Sequence, residues 1–215
     1  MKTSRNLLSR AKDDRNSVAW SRLVGIYDPL ISGWLRRAGV EEGDVSDITQ
    51  EVLYAVVTEL KKFEHNGRTG AFRNWLRRIT INRCRRYWDV QRKHFPADRK
   101  RESNEVLDQL ADPNSELTVR WDREHDHYVV NRILELIRPE FDDKTIAAFY
   151  RVAIKKEPAK TIAQDLSVSA GQVYKFKFRV MRRLQEEAQG LVNNEQVPAL
   201  FESLSDSKSS NTVDT

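Results

Sequence analysis

Cysteine is almost absent: Cys84 stands alone in 215 residues. A lone cysteine excludes an internal disulfide framework and fits a reducing, cytoplasmic setting. Glycine and proline are scarce, at eight and six residues, and alternating strand-like runs are rare, which excludes a turn-rich β architecture. No apolar stretch approaches the roughly 20 residues that span a bilayer. The opening MKTSRNLLSR lacks the apolar core of an export signal, so no membrane insertion is expected. Phosphate-cradling loops, zinc-protease helices and nucleophile elbows are missing too. The expectation is therefore a protein that is not an enzyme and takes no cofactor and no metal.

What is present is charge on a helical framework. Lys and Arg number 37 against 32 Asp and Glu, a net charge of +5, so the distribution matters more than the total. From Arg68 to Lys93 nine basic residues face one acid, Asp89. A second basic cluster holds Lys175, Lys177, Arg179, Arg182 and Arg183. Two such patches, set apart in the chain, suit a polyanion touched at two places. Charge alone leaves two solvated helix faces equally open.

Apolar spacing predicts an all-α fold of two small domains. Ser17 can cap a helix carrying Trp20, Leu23, Val24 and Tyr27. Pro29 suits the first turn of a next helix burying Leu30, Ile31, Trp34 and Leu35, which Gly39 ends. Asp44 starts a third, with Ile48, Val52, Val56, Leu60 and Phe63 on one face and Asp47, Gln50, Glu51 and Tyr54 opposite. After the loop EHNGRTG a fourth helix runs from about Phe72 to Lys93. Residues 94–118 contain Pro96, Pro113 and six acids among Ser, Asn and Gln, and read as a flexible linker. Helices resume near Val119, reach Ile137 and restart at about Asp142 with Ile146, Phe149 and Tyr150 inward. Domains are thus expected at 1–93 and 119–191, with a largely disordered tail at 192–215.

Three segments carry chemistry. In Ile162-Ala163-x-x-Leu166-x-Val168-Ser169-x-x-x-Val173 the spacing is that of a helix-turn-helix. Ala163 lets two helices approach, and Leu166, Val168 and Val173 fill the corner. The turn position that often holds Gly is Ser167, at a cost of about 1 kcal/mol if it is left-handed. The second helix, capped by Ser169, would offer Gln172, Lys175, Phe176, Lys177 and Arg179 to a major groove, with Arg182 and Arg183 on phosphate. An ordinary helical hairpin shares this spacing. The acidic-amide face around Asp47 offers a negative patch to a basic partner. Between Glu64 and Lys93 arginines interleave with Phe72, Trp75, Tyr87 and Trp88, as in surfaces that track a backbone and stack on unpaired bases. Gly67 and Gly70 would allow close backbone approach there. Glu124-His125-Asp126-His127 looks metal-like, but residues two apart on a helix diverge, so a solvated surface is expected. Cys84 sits among arginines that could lower its pKa.

The segments AWSRLVGIYDPLISGWLRRAG, DITQEV, GAFRNWLRRITINRCRRY and TIAQDLSVSAGQVYKFKFRVMRRL, in this order, resemble the landmarks of the sigma-70 family, in particular its compact extracytoplasmic-function (ECF) group. The FRNWL and VYKFKFRVMRRL style is similar to forms found in planctomycete-like bacteria. The resemblance covers roughly Leu7–Lys93 and Val119–Leu191. It implies a factor that binds core RNA polymerase and directs promoter-specific initiation. Asp47, Gln50 and Glu51, with Tyr54 beside them, would dock on polymerase. Gly67, Arg68, Asn74, Arg78, Asn82, Arg83 and Arg86 would open and read the −10 element. Ser169, Gln172, Lys175, Phe176, Lys177, Arg179, Arg182 and Arg183 would serve the −35 element. An anti-sigma protein is a partner that the resemblance allows. A stand-alone helix-turn-helix regulator is the alternative, although no extended heptad for dimerisation is present. A nucleic-acid-processing enzyme would need carboxylates or a nucleophile near the arginine-rich helix, where Asp89 is alone.

Overall fold

A computed structural model describes residues 6–13, 17–64, 70–91 and 97–201. Among these residues the secondary structure is helical, apart from one isolated bridge between Gln189 and Val192. The chain divides into two compact units, with Leu7–Tyr128 in one and Val129 onward in the other.

The first unit contains α1 (Leu7–Ala11), α2 (Ser17–Arg37), α3 (Glu42–Glu59), α4 (Ala71–Val90), α5 (Ala97–Ala111) and the first part of α6 (Glu116–Ile137). In α2 the buried side chains Leu23, Ile26, Tyr27, Leu30, Ile31, Trp34 and Leu35 follow the three-and-four spacing of one helix face. That stripe runs unbroken through Pro29, so the two helices expected here are one. Proline deprives the Gly25 carbonyl of its donor, but Gly25 and Pro29 are both exposed, and burial of the stripe outweighs that loss. Gly39 ends the helix at φ 81°. Its N–H donates to the Arg36 carbonyl and that of Val40 to the Leu35 carbonyl, at 3.0 and 3.1 Å, the paired bonds of a left-handed helix stop.

The segment expected as a flexible linker differs from that reading. Residues 97–111 form α5, which buries Leu107 and Leu110. Three residues apart, these two leucines make a narrow apolar stripe inside an acidic, amide-rich composition. The turn at Pro113 then folds the chain back. Ser115 Oγ accepts from the Thr118 N–H at 3.0 Å, and the Thr118 hydroxyl donates to the Leu110 carbonyl at 3.1 Å.

In the second unit α7 (Asp143–Phe149) begins at Asp142, whose carboxylate accepts from the Thr145 N–H at 2.7 Å. It opens into a π turn over Tyr150–Ile154. Then come α8 (Ala159–Asp165) and α9 (Ala170–Ala188). Ala148, Ala159, Ile162, Ala163, Val173 and Phe176 form the corner core, with Leu166 and Val168 packed on it. The expected tail begins as structure: residues 197–201 are helical, and Val197 and Phe201 are buried, the latter edge-on to Phe149 at 5.7 Å. Apolar residues at 191, 192, 197 and 201 cover the end of the core despite their polar neighbours.

Candidate nucleic-acid and partner surfaces

α3 is split cleanly by its sequence. Val45, Ile48, Val52 and Val56 are buried, while Asp47, Gln50, Glu51 and Tyr54 are all exposed. Tyr54 is 71% exposed and Val57, one turn along the same side, 41%. The face therefore combines two carboxylates, an amide and an accessible apolar spot on a five-turn helix, which suits a basic protein surface with an apolar centre.

The α4 residues fall into two groups. Asn74, Arg78 and Asn82, four residues apart, are exposed and line an open groove of about 1050 Å³. Lys62, Phe63 and Trp75 also line it, and Leu110, Ala111 and Pro113 of the α5–α6 turn form another part of its wall. Cationic and amide side chains beside aromatic surface suit single-stranded nucleic acid, with backbone tracked and bases stacked. Arg83 and Arg86 do not line this groove; Arg83 lies 3.9 Å from Glu51 of the exposed α3 face. Gly67 and Arg68 lie outside the described residues. Gly70 caps α4 at φ 74°, where a side chain would also strike the Arg73 guanidinium at 2.7 Å.

Part of the arginine-rich helix is not available to a ligand. Arg73 and Arg77 are buried, and both face α6. Arg73 Nη1 is 2.6 Å from Asp126, and its Nε is 2.9 Å from Asp122 in an ion pair without hydrogen-bond alignment. Arg77 Nη1 donates to Asp122 at 2.7 Å. His125, fully buried, joins its Nδ1 to Asp126 at 2.8 Å and its Nε2 to the Tyr27 hydroxyl at 3.2 Å. The solvated surface expected at Glu124–His127 is therefore wrong for its middle two residues. The basic patch and the acidic run partly neutralise each other across the interior of the unit. Burial lowers the His125 pKa and favours the neutral ring. Burial alone would raise Asp126, but His125 and Arg73 hold its carboxyl below the usual range.

Other expectations are corrected by burial. Trp88 is 1% exposed and cannot stack on a base. Cys84 is not activated by its arginine neighbours; burial pushes its thiol up to about 12. Among the described residues no group of three His, Cys, Asp or Glu could hold a metal ion. No helix among them is long and apolar enough to cross a membrane.

In the helix-turn-helix, Ser167 is left-handed at φ 53°. The Val168 N–H reaches the Ala163 carbonyl at 2.9 Å and the Ser167 N–H that of Gln164 at 3.2 Å. These two bonds make the sharp stop that sets α8 against α9. Ser169 caps α9 by accepting from the Gln172 N–H at 3.1 Å. Lys175, Arg179 and Arg182 are exposed, and Gln172 and Lys177 are half-buried. Phe176 is a correction: it belongs to the corner core and cannot reach a groove. Arg183 is a second, because its guanidinium is spent on Glu140, at 2.7 and 2.9 Å, and on buried Glu187. The large side chains that do reach solvent are Tyr174 and Phe178, which the i, i+3, i+4, i+7 rule identifies once Val173, Val180 and Leu184 set the inward phase.

Comparison with known proteins adds one finding. Residues 23–94, comprising most of α2, all of α3 and α4 and the loops between them, match the family model for sigma-70 region 2. This supports a sigma-70 family sigma factor. No curated protein matches the chain.

Proposed function

We propose that this chain is a sigma factor of the ECF type, which joins core RNA polymerase and directs promoter-specific initiation. The observation that carries the reading is the coincidence of the region 2 match with two usable surfaces, the exposed acidic-amide face of α3 and the groove along α4. Asp47, Gln50, Glu51 and Tyr54 dock on polymerase. Asn74, Arg78 and Asn82 hold the displaced strand of the −10 element in the groove, with the half-buried Trp75 as apolar surface for its bases. Arg83 and Arg86 on the neighbouring face of α4 meet backbone phosphate. The second unit reads the −35 element as a duplex through α9, with the exposed Lys175, Arg179 and Arg182 toward the DNA and the half-buried Lys177 turned to the inward side. Each surface is small and each affinity weak. Polymerase holds both DNA readers at the spacing of the two elements, so the second contact forms at high effective concentration. The same reading admits an anti-sigma protein as regulator.

Transcription of genomic DNA in vitro by core polymerase, with and without the chain, followed by sequencing of RNA 5′ ends, tests this. Chain-dependent start sites sharing two upstream elements are expected, with starts reduced by Arg78→Ala or Asn82→Ala in a folded protein. Absence of chain-dependent starts refutes it.

A further inference from the structure

The outward face of α9 holds two large apolar side chains where a folded surface would ordinarily place polar ones. Tyr174 is 58% and Phe178 64% exposed. Neither has a ring or ion partner among the described residues. They sit four residues apart, so one stacks above the other on the same side of the helix. Single exposed apolar residues are ordinary, but an adjacent pair forms a patch that asks for an occupant.

Charge identifies the occupant. Residues 170–185 contain five Lys and Arg and no acid. At about 100° per residue, the direction opposite the buried Val173, Phe176, Val180 and Leu184 passes through Gly171, Tyr174, Lys175, Phe178 and Arg182. Glu186 engages Arg182 only at the far end, at 3.5 Å. The face is therefore small at its start, aromatic along one side and rimmed by cations along the other. An apolar protein groove would not call for that rim. Duplex DNA matches it, with phosphates along the edges and, on the floor of the major groove, a single kind of apolar group, the C5 methyl of thymine.

We propose that Tyr174 and Phe178 determine the sequence preference of this helix by packing on thymine methyls, while Lys175, Arg179 and Arg182 hold the flanking phosphates. The inference rests on the reading of the second unit as the duplex-DNA reader. Four residues rise about 6 Å along a helix and base pairs about 3.4 Å, so the two rings address thymines one or two steps apart.

The test uses the full chain with bacterial core RNA polymerase and a duplex pool of random sequence. The enriched duplex is then resynthesised with deoxyuridine in place of each thymine, which removes only the methyl group. The expected result is a loss of about fourfold in affinity per contacted thymine. That loss should vanish at one position in Tyr174→Ala and at the other in Phe178→Ala, with unfolding midpoints unchanged because both side chains are exposed. An enriched sequence without thymine, equal binding of both duplexes, or a deoxyuridine loss that survives in both variants overturns the inference while leaving the duplex-reading role intact. Failure of the pool to enrich any sequence upstream of the −10 element overturns that role, and the inference with it.

Discussion

Replacing Asp126 by alanine removes the carboxylate on which two buried groups of the first unit converge. Arg73, 11% exposed in its side chain, keeps only the poorly aligned contact to Asp122. His125, with no exposure, loses the acceptor for Nδ1. Removing one partner of a buried pair costs about 3–5 kcal/mol when the other charge is left alone. Here Asp122 remains, so the expected loss is about 2–4 kcal/mol. The assay is selective, because all five tryptophans, Trp20, Trp34, Trp75, Trp88 and Trp121, lie in the unit that contains this cluster. Urea unfolding followed by tryptophan fluorescence should show the midpoint falling by about 1–2 M. The control is Asp108→Ala, which breaks the Arg85–Asp108 pair at 43% and 73% side-chain exposure and should cost under about 1 kcal/mol. Arg73→Met combined with Asp126→Leu should cost less than Asp126→Ala alone, since no charge is stranded. Equal losses for Asp126→Ala and Asp108→Ala would refute the claim that the cluster is a buried clasp.

The same cluster sets a pH dependence. His125 has a folded-state pKa below its ordinary 6.5 because of burial, so the unfolded chain binds the extra proton first. Stability of the first unit should fall as pH drops below about 6.5, by at most about 1.4 kcal/mol per pH unit for one proton. His125→Gln should flatten that slope in fluorescence-monitored unfolding, whereas His127→Asn should leave most of it. In the second unit, Ser167→Gly relieves a left-handed residue and should raise stability by about 1 kcal/mol, read by circular dichroism after the tryptophan transition is subtracted. Phe176→Ala should cost about 3–5 kcal/mol by the same measurement, against less than about 0.5 for Tyr174→Ala.

Much of this was legible because amphipathic helices record their inward face in residue spacing. The stripe from Ile48 to Phe63, along α3 and the turn after it, and the α8–α9 corner around Ala163, Val168 and Val173 are read correctly from spacing alone, and Ser167 is left-handed as the turn position allows. Other features depend on partners distant in sequence. Arg73 and Arg77 look like ligand cations until Asp122 and Asp126, 45 to 53 residues later, are brought against them. The wall that Ala111 and Pro113 contribute to the α4 groove comes from a segment whose polar composition hides two buried leucines. Pro29 misleads because local propensity marks a helix start where tertiary burial carries the helix through. Phe176 misleads because a basic neighbourhood draws attention to residue type rather than to helical phase.

The central claim is that the acidic-amide face of α3 joins this chain to core RNA polymerase. Size-exclusion chromatography of the purified chain with its cognate core enzyme tests it most directly, with an Asp47→Lys/Glu51→Lys variant run beside it. Both substitutions are at exposed positions, so the variant should fold, and its tryptophan unfolding curve verifies that. Co-elution of the wild type and its loss in the charge-reversed protein is the predicted result. A folded wild type that elutes apart from the core enzyme, or a variant that binds equally well, would contradict the account.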